Sequence, residues 1–150
     1  MTLTIEMLAA DTINAEFEAL LDLARQVFGD MKEEYLRWRL DNQPDVSIFV
    51  AREGGALVGF KAGYAMTHRR YYSWLGGIRP EHRRKGIASR LMQAQHDWLG
   101  SSPYDIVETH VRKANPSMIE LNAGFGFETT GTYLREGDKN YIMQKSITAA

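Results

Sequence analysis

The sequence predicts an α/β (α+β) fold built around a mixed sheet, with residues 1–150 as one domain. Three observations carry this reading. Helical and strand periodicities interleave along all 150 residues, with no repeat, low-complexity tract or linker between them. The hydrophobic share is 44% and the charged share 25%, ordinary values for a globular chain of a length that can bury its own core. Cysteine is absent, which excludes a disulfide-stapled scaffold, cysteine-ligated metal and cysteine redox chemistry.

The elements follow in order. Leu3–Leu8 alternates apolar residues with Thr and Glu, as a half-buried strand does. Asp11 or Thr12 is placed to cap a helix over Asn14–Val27, whose stripe is Phe17, Leu20, Leu21, Ala24 and Phe28; Gly29 stops it. A second helix over Lys32–Leu40 closes before Gln43-Pro44. Ser47–Arg52 and Ala56–Met66 read as strands joined at Glu53-Gly54-Gly55, a hairpin signal. A strand over Tyr71–Ile78 ends at Arg79-Pro80. Gly86–Leu99 is the strongest amphipathic helix, with Ile87, Leu91, Ala94 and Trp98 at helical spacing and Gly100 as its stop. A strand over Asp105–Val111, a helix over Pro116–Ala123, and strands over Phe127–Leu134 and Asn140–Ile147 complete the chain.

Eighteen Lys and Arg stand against 19 Asp and Glu, a net charge of −1. That balance argues against nucleic-acid and membrane-surface partners, which want a basic excess. No basic-then-apolar leader is read at the start, and no apolar run approaches the ~18–20 residues of a membrane span. The expected location is cytoplasmic. His68, His82, His96 and His110 form no metal-binding pair, so no metal is expected. No G-x-S-x-G elbow, phosphate-binding Walker loop or complete dinucleotide fingerprint is present.

The chemistry concentrates in Ile78–Leu91, where a strand gives way to a basic loop and then to a helix opening on small residues. The first amides of a helix lack internal partners and carry partial positive charge, so such an end binds phosphate. Gly86 and Ala88 let an anion approach the backbone, and Arg83, Arg84 and Lys85 add charge. The competing reading of the run is a solvated basic surface. Gly76-Gly77 inside an apolar strand suggests a bulge or a close backbone approach, with simple packing accommodation as the alternative.

These residues resemble the GNAT superfamily of N-acetyltransferases. Arg83-x-x-Gly86-x-Ala88 is similar to its Q/R-x-x-G-x-G/A signature, Ile78-Arg79-Pro80 to the preceding V-x-P, and Asn115 through Gly126-Phe127 to its N-x(6)-Y-x(3)-G-F segment. The resemblance covers nearly the whole chain. It implies a mostly antiparallel sheet of about seven strands with four helices, splayed between the fourth and fifth strands. It implies acetyl-CoA as acyl donor, with the pyrophosphate held at Arg83, Arg84, Lys85, Gly86, Ile87 and Ala88, and Ser89 and Arg90 close by. The backbone at Gly77 and Ile78 would pair with the pantetheine arm. Asn115 would contact that arm, although capping the helix at Pro116 explains it equally well. Family members are often homodimers, yet no residue here fixes a dimer face.

The implied reaction is attack of a small-molecule or peptide amine on the thioester. With no cysteine and no serine elbow, attack is expected to be direct, in a ternary complex. A lysine-like amine has a pKa of roughly 10.4, so it needs a base near neutrality. His110, and Glu108 as the second choice, are the candidates for that base; they share a face of the predicted fifth strand by alternation. His110 stands five residues before Asn115, where the branch of the family acting on protein N-termini carries a glutamate. The usual tyrosine acid is replaced by Asn122, which gives up no proton at ordinary pH. Tyr133 or Tyr141, a water, or departure of the unprotonated thiolate would have to serve instead, and a non-catalytic acyl-CoA-binding sensor is the alternative function. Phe28, Tyr35, Trp38, Tyr64, Tyr72, Tyr133 and Tyr141 are candidates to line an acceptor site. Glu33 and Glu34 are candidates to hold a cationic acceptor.

Overall fold

The computed structural model describes residues 2–147. Seven strands form one sheet: β1 (Leu3–Met7), β2 (Ser47–Glu53), β3 (Ala56–Ala65), β4 (Arg70–Ile78), β5 (Ile106–Arg112), β6 (Glu128–Arg135) and β7 (Asp138–Ser146). Their spatial order is β1-β2-β3-β4-β5-β7-β6. Every neighbouring pair is antiparallel except β4 and β5. The helices are α1 (Ile13–Phe28), α2 (Glu33–Asn42), α3 (Ile87–Gly100) and α4 (Pro116–Gly124).

Strand alternation sends residues to two differently covered faces. Ile48, Val50, Phe60 and Ala62 pack with Leu20, Leu23 and Ala24 of α1 on one face. Phe49, Ala51 and Val58 pack with Ile87 and Leu91 of α3 on the other. Farther along that second face, Met92 and Leu99 of α3 and residues of α4 cover Val107, Val111 and Met143. β2 is therefore buried on both sides, which is why Ser47–Ala51 reads as nearly continuous apolar sequence.

Helix ends explain the element boundaries. Gly29 takes φ 80° after α1, and its amide bonds Arg25 O. Thr12 occupies the position before α1, yet it does not cap the helix. Its hydroxyl donates to Ala9 O at 2.7 Å, closing the 3-10 turn that leads in. Asp11, the other candidate cap, lies inside that turn.

The β4–β5 pairing positions the site. These strands pair only over Arg70–Tyr72 with Ile106–Glu108. Thr109 Oγ1 then donates to Ser73 O at 3.0 Å. Beyond it Trp74 bulges out of the β3–β4 register, between Ser73 opposite Gly63 and Leu75 opposite Ala62. The rest of β4, to Ile78, pairs with no strand on its β5 side among the described residues, so the sheet is splayed between its fourth and fifth strands.

His96 of α3 is buried between Phe125 and Phe127; Lys145 Nζ donates to its Nδ1 at 2.9 Å, and its Nε2 has no partner among the described residues. Burial first, then the Lys145 charge, pushes its pKa down to about 3. The unfolded chain therefore takes up this proton near pH 6.5 and the folded one does not, so stability falls as pH drops from about 6.5 towards 3, by at most ~1.4 kcal/mol per pH unit for one group. His96→Gln keeps an acceptor for Lys145 without the titration. Denaturant melts at pH 6.5 and 4.5 are expected to show a smaller acid loss in the variant; equal losses contradict the assignment.

Candidate active site

Glu108 and His110 project from β5 to the α1 side of the sheet. They were alternatives in sequence, and the structure couples them. His110 Nε2 lies 2.7 Å from Glu108 Oε2. Glu108 is buried, accepts Gln144 Nε2 at 2.7 Å on its other oxygen, and has Arg70 Nη1 at 3.8 Å. A carboxylate accepts, so Nε2 carries the hydrogen in neutral His110 and Nδ1 is left as the acceptor. Tyr133 Oη sits 3.2 Å from that Nδ1.

Tyr133 reaches His110 because of a register irregularity. Thr129 pairs with Met143, but Gly131 pairs with Ile142, so Thr130 is an extra residue on β6. One extra residue exchanges the faces of all that follows. Tyr133 consequently shares the His110 face. Tyr141, opposite Val111, belongs to the other face and packs with the α3–α4 core, so it lines no site with His110.

Around His110 stands a group of aromatic side chains. The Tyr72 ring lies 5.1 Å from His110 and the Tyr64 ring 5.4 Å from Tyr72. Trp74, the bulge residue, lies 5.8 Å from Tyr64 and 6.0 Å from Tyr35 of α2. Burial pushes the Tyr72 hydroxyl well above its ordinary pKa, so it stays protonated. Of the proposed lining residues, Tyr35, Tyr64, Tyr72 and Tyr133 gather here. Phe28 and Trp38 are exposed and join no such contact among the described residues, and Glu33 and Glu34 lie on the exposed first turn of α2. Trp74, Arg70 and Gln144 were not singled out in sequence, because their placement depends on bulges and strand register rather than on any local pattern; nor was Arg39 of α2, whose ring neighbours Tyr64 and Trp74 come from distant strands.

The basic loop lies at the other end of the opening. Arg84 and Gly86 both adopt left-handed backbone, φ 64° and 75°. No side chain among the described residues caps α3. The space where a Gly86 Cβ would stand is empty to 4 Å. Arg84, Lys85 and Arg90 are exposed and form no ion pair among the described residues; Arg83 Nε donates to Ile78 O at 3.3 Å. Ile87 is buried under β2, while Ala88 and Ser89 are half-buried at the helix opening. Asn115 Oδ1 accepts Met118 N and Ser117 Oγ, so its side chain caps α4.

Gly77 and Ile78 lie on the splayed half of β4, without the bulge that the glycine pair suggested; the bulge is at Trp74. Gly77 is a glycine for packing: a Cβ there would stand 2.6 Å from Val27 Cγ1 of α1. Asn122 is 2% exposed, with its amide on Met143 Sδ at 3.7 Å. Lys61, opposite Gly76 and Phe49 on the α3 side, has its pKa lowered to about 8 by burial.

The family model for the Acetyltransferase (GNAT) family matches residues 17–127. The chain belongs to the GNAT acetyltransferase family. Solved GNAT-like structures superpose over almost its whole length. The ribosomal-protein-S18-alanine N-acetyltransferase of Escherichia coli is 18% identical with a TM-score of 0.84, over 99% of this chain and 96% of that one. Ard1 of Thermoplasma volcanium is 21% identical with a TM-score of 0.79, over 99% and 100%. Arabidopsis thaliana NAA60, solved with acetyl-CoA, is 19% identical with a TM-score of 0.77, over 97% and 99%. No curated protein sequence matches. This GNAT domain is thus an acetyltransferase with the family's splayed sheet, and it departs from the family pattern at Asn122.

The packing role of Gly77 is open to test. Val27 is β-branched and has little rotamer freedom with which to yield. Gly77→Ala is expected to destabilise the fold by about 1–3 kcal/mol in urea titration, with most of it recovered in the Gly77→Ala, Val27→Ala double variant. Additive losses would contradict the contact.

Proposed function

We propose that this GNAT domain moves an acetyl group from acetyl-CoA to a primary amine by direct attack in a ternary complex. The observation that carries this reading is the Glu108–His110–Tyr133 chain beside the point where β4 and β5 part. Family membership supports the donor, as do the neighbours solved with acetyl-CoA and, for PaiA of Thermoplasma acidophilum, with coenzyme A. The name of the Escherichia coli neighbour, a ribosomal-protein-S18-alanine N-acetyltransferase, supports an amine on a protein as one acceptor class.

The chain's residues fit the donor. The uncapped α3 end, turned by two left-handed residues, offers free amides and partial positive charge to a pyrophosphate. Arg83, Arg84, Lys85 and Arg90 add charge around the amides of Gly86, Ile87, Ala88 and Ser89. The edge of β4 at Gly77 and Ile78, which β5 leaves unpaired, offers backbone groups to the pantetheine amides, although Ile78 O also accepts Arg83 Nε. Asn115, with its oxygen engaged at α4, has its amide nitrogen left to contact the arm. Acetyl-CoA supplies the thioester that the amine attacks.

His110 is the base. The amine passes a proton to Tyr133 Oη as Tyr133 passes its own to Nδ1, and Glu108 stabilises the imidazolium that results. Backbone amides of β4 polarise the carbonyl as it gains negative charge. Asn122 contributes no proton. A thiol pKa near 8.5 makes the thiolate a tolerable leaving group without it. A binding protein without turnover would have no use for a base held in one tautomer, and the ordered His110 chain therefore favours the enzyme over the acyl-CoA sensor.

Two measurements test the two halves. Calorimetric titration of CoA into Gly86→Glu is expected to show affinity at least ~10-fold weaker than for the unaltered protein, since a carboxylate fills the empty space and meets the anion. Unchanged affinity removes the pyrophosphate assignment. His110→Ala is expected to lower kcat by ~10²-fold or more with CoA affinity retained, and Glu108→Gln to lower it comparably by releasing the tautomer. A Glu108→Gln enzyme with unaltered turnover and pH profile contradicts the base.

A further inference from the structure

Arg39 lies in the aromatic group beside His110 without a carboxylate of its own. Its guanidinium carbon stands 5.1 Å from the Tyr35 ring and 5.9 Å from both Tyr64 and Trp74. Nη1 donates to Tyr64 Oη at 2.6 Å, and Nε and Nη2 make no hydrogen bond among the described residues. No ion pair to Arg39 forms among them either. The side chain is half-buried, so its charge is partly stripped of water and met mainly by ring faces.

The charges nearby do not neutralise it. Glu33 and Glu34 of α2 lie on the exposed first turn, and Asp41 is exposed. Arg37 turns instead to the Phe17 ring. From β3 and β4 come Tyr64, Tyr72 and Trp74, which carry no charge. Glu108 lies beyond Tyr72 and is already engaged by His110, Gln144 and Arg70. The uncompensated charge on this face is thus positive, and it sits on the same side of the sheet as the base.

We propose that Arg39 selects acceptors in which the amine is accompanied by a carboxylate. This rests on the acetyl-transfer reading above. The free Nε and Nη2 donors form one edge of the guanidinium fork, the edge that takes a carboxylate through two parallel charge-assisted hydrogen bonds. Tyr64 fixes the fork by its hydrogen bond, and the rings hold its plane. A polyamine, carrying a second positive charge, is disfavoured at the same place. The carboxylate can belong to a free amino acid or to an acidic residue of a peptide, and the chemistry recognised is the same.

The test uses the full chain with acetyl-CoA, following thiol release and product mass over matched acceptors. One arm sets amino acids against their carboxamides. The other sets peptides with a free N-terminus and Glu or Asp near it against the same peptides with Gln or Asn. The expected result is a kcat/KM at least about 10-fold higher for the carboxylate member in one arm, the range of a charge-assisted hydrogen bond. The arm in which it occurs identifies the source. Arg39→Met is expected to bring that ratio near one, and Arg39→Lys to keep part of it. A ratio near one in both arms, or a ratio that survives Arg39→Met, overturns the inference while leaving acetyl transfer intact. A merely structural Arg39 would lower both members of a pair alike, which also overturns it. No thiol release with any amine overturns the acetyl-transfer reading and this inference with it.

Discussion

The early end of the β4–β5 pairing governs this molecule. Two parallel strands join for three residues each, and the Thr109 hydroxyl on Ser73 O is the next hydrogen bond between them. The Trp74 bulge turns β4 away at that point. A continuous ladder would have satisfied the far half of β4 and closed the sheet. Instead, the strand's backbone groups up to Ile78 are left for something other than β5. Because α3 starts soon after Ile78, the same divergence sets an uncapped helix end at the mouth of the opening. Close packing secures the parting from the α1 side, where Val27 occupies the room that a side chain at Gly77 would need.

Charge is distributed along this opening in two different manners. At the mouth, arginines and lysine stand in solvent around a helix end, where they attract an anion and cost little. Inside, Glu108 is a buried carboxylate, tolerable only because its oxygens are engaged by His110 and Gln144 with Arg70 nearby. That engagement also fixes which nitrogen of His110 faces Tyr133. In the proposed reaction the carboxylate thus acts through the histidine, and the hydroxyl of Tyr133 is the group that meets the acceptor.

Much of the frame was legible in sequence because it is written in local periodicity. The stripe Ile87, Leu91 and Trp98 gave α3, Gly29 marked the end of α1, and Glu53-Gly54-Gly55 marked the β2–β3 turn. The shared face of Glu108 and His110 followed from period-two alternation. What alternation could not supply was phase across a bulge. The extra residue Thr130 decides that Tyr133 and not Tyr141 reaches His110, and nothing in a Thr-Thr-Gly run announces it. The glycine pair misled for a related reason: Gly77 answers to Val27, fifty residues earlier in the chain, while the bulge falls on a tryptophan. Arg39 went unmarked because its significance lies in having no counter-charge, a property of the assembled face.

The central claim is that the opening between β4 and β5 is the bed of acetyl-CoA. Amide hydrogen exchange with and without CoA tests it most directly. The account predicts added protection at Trp74–Ile78 and at the first turn of α3, with little change at Arg70–Tyr72, which already pair with β5. Protection confined to other elements, or none at saturating CoA, would contradict it.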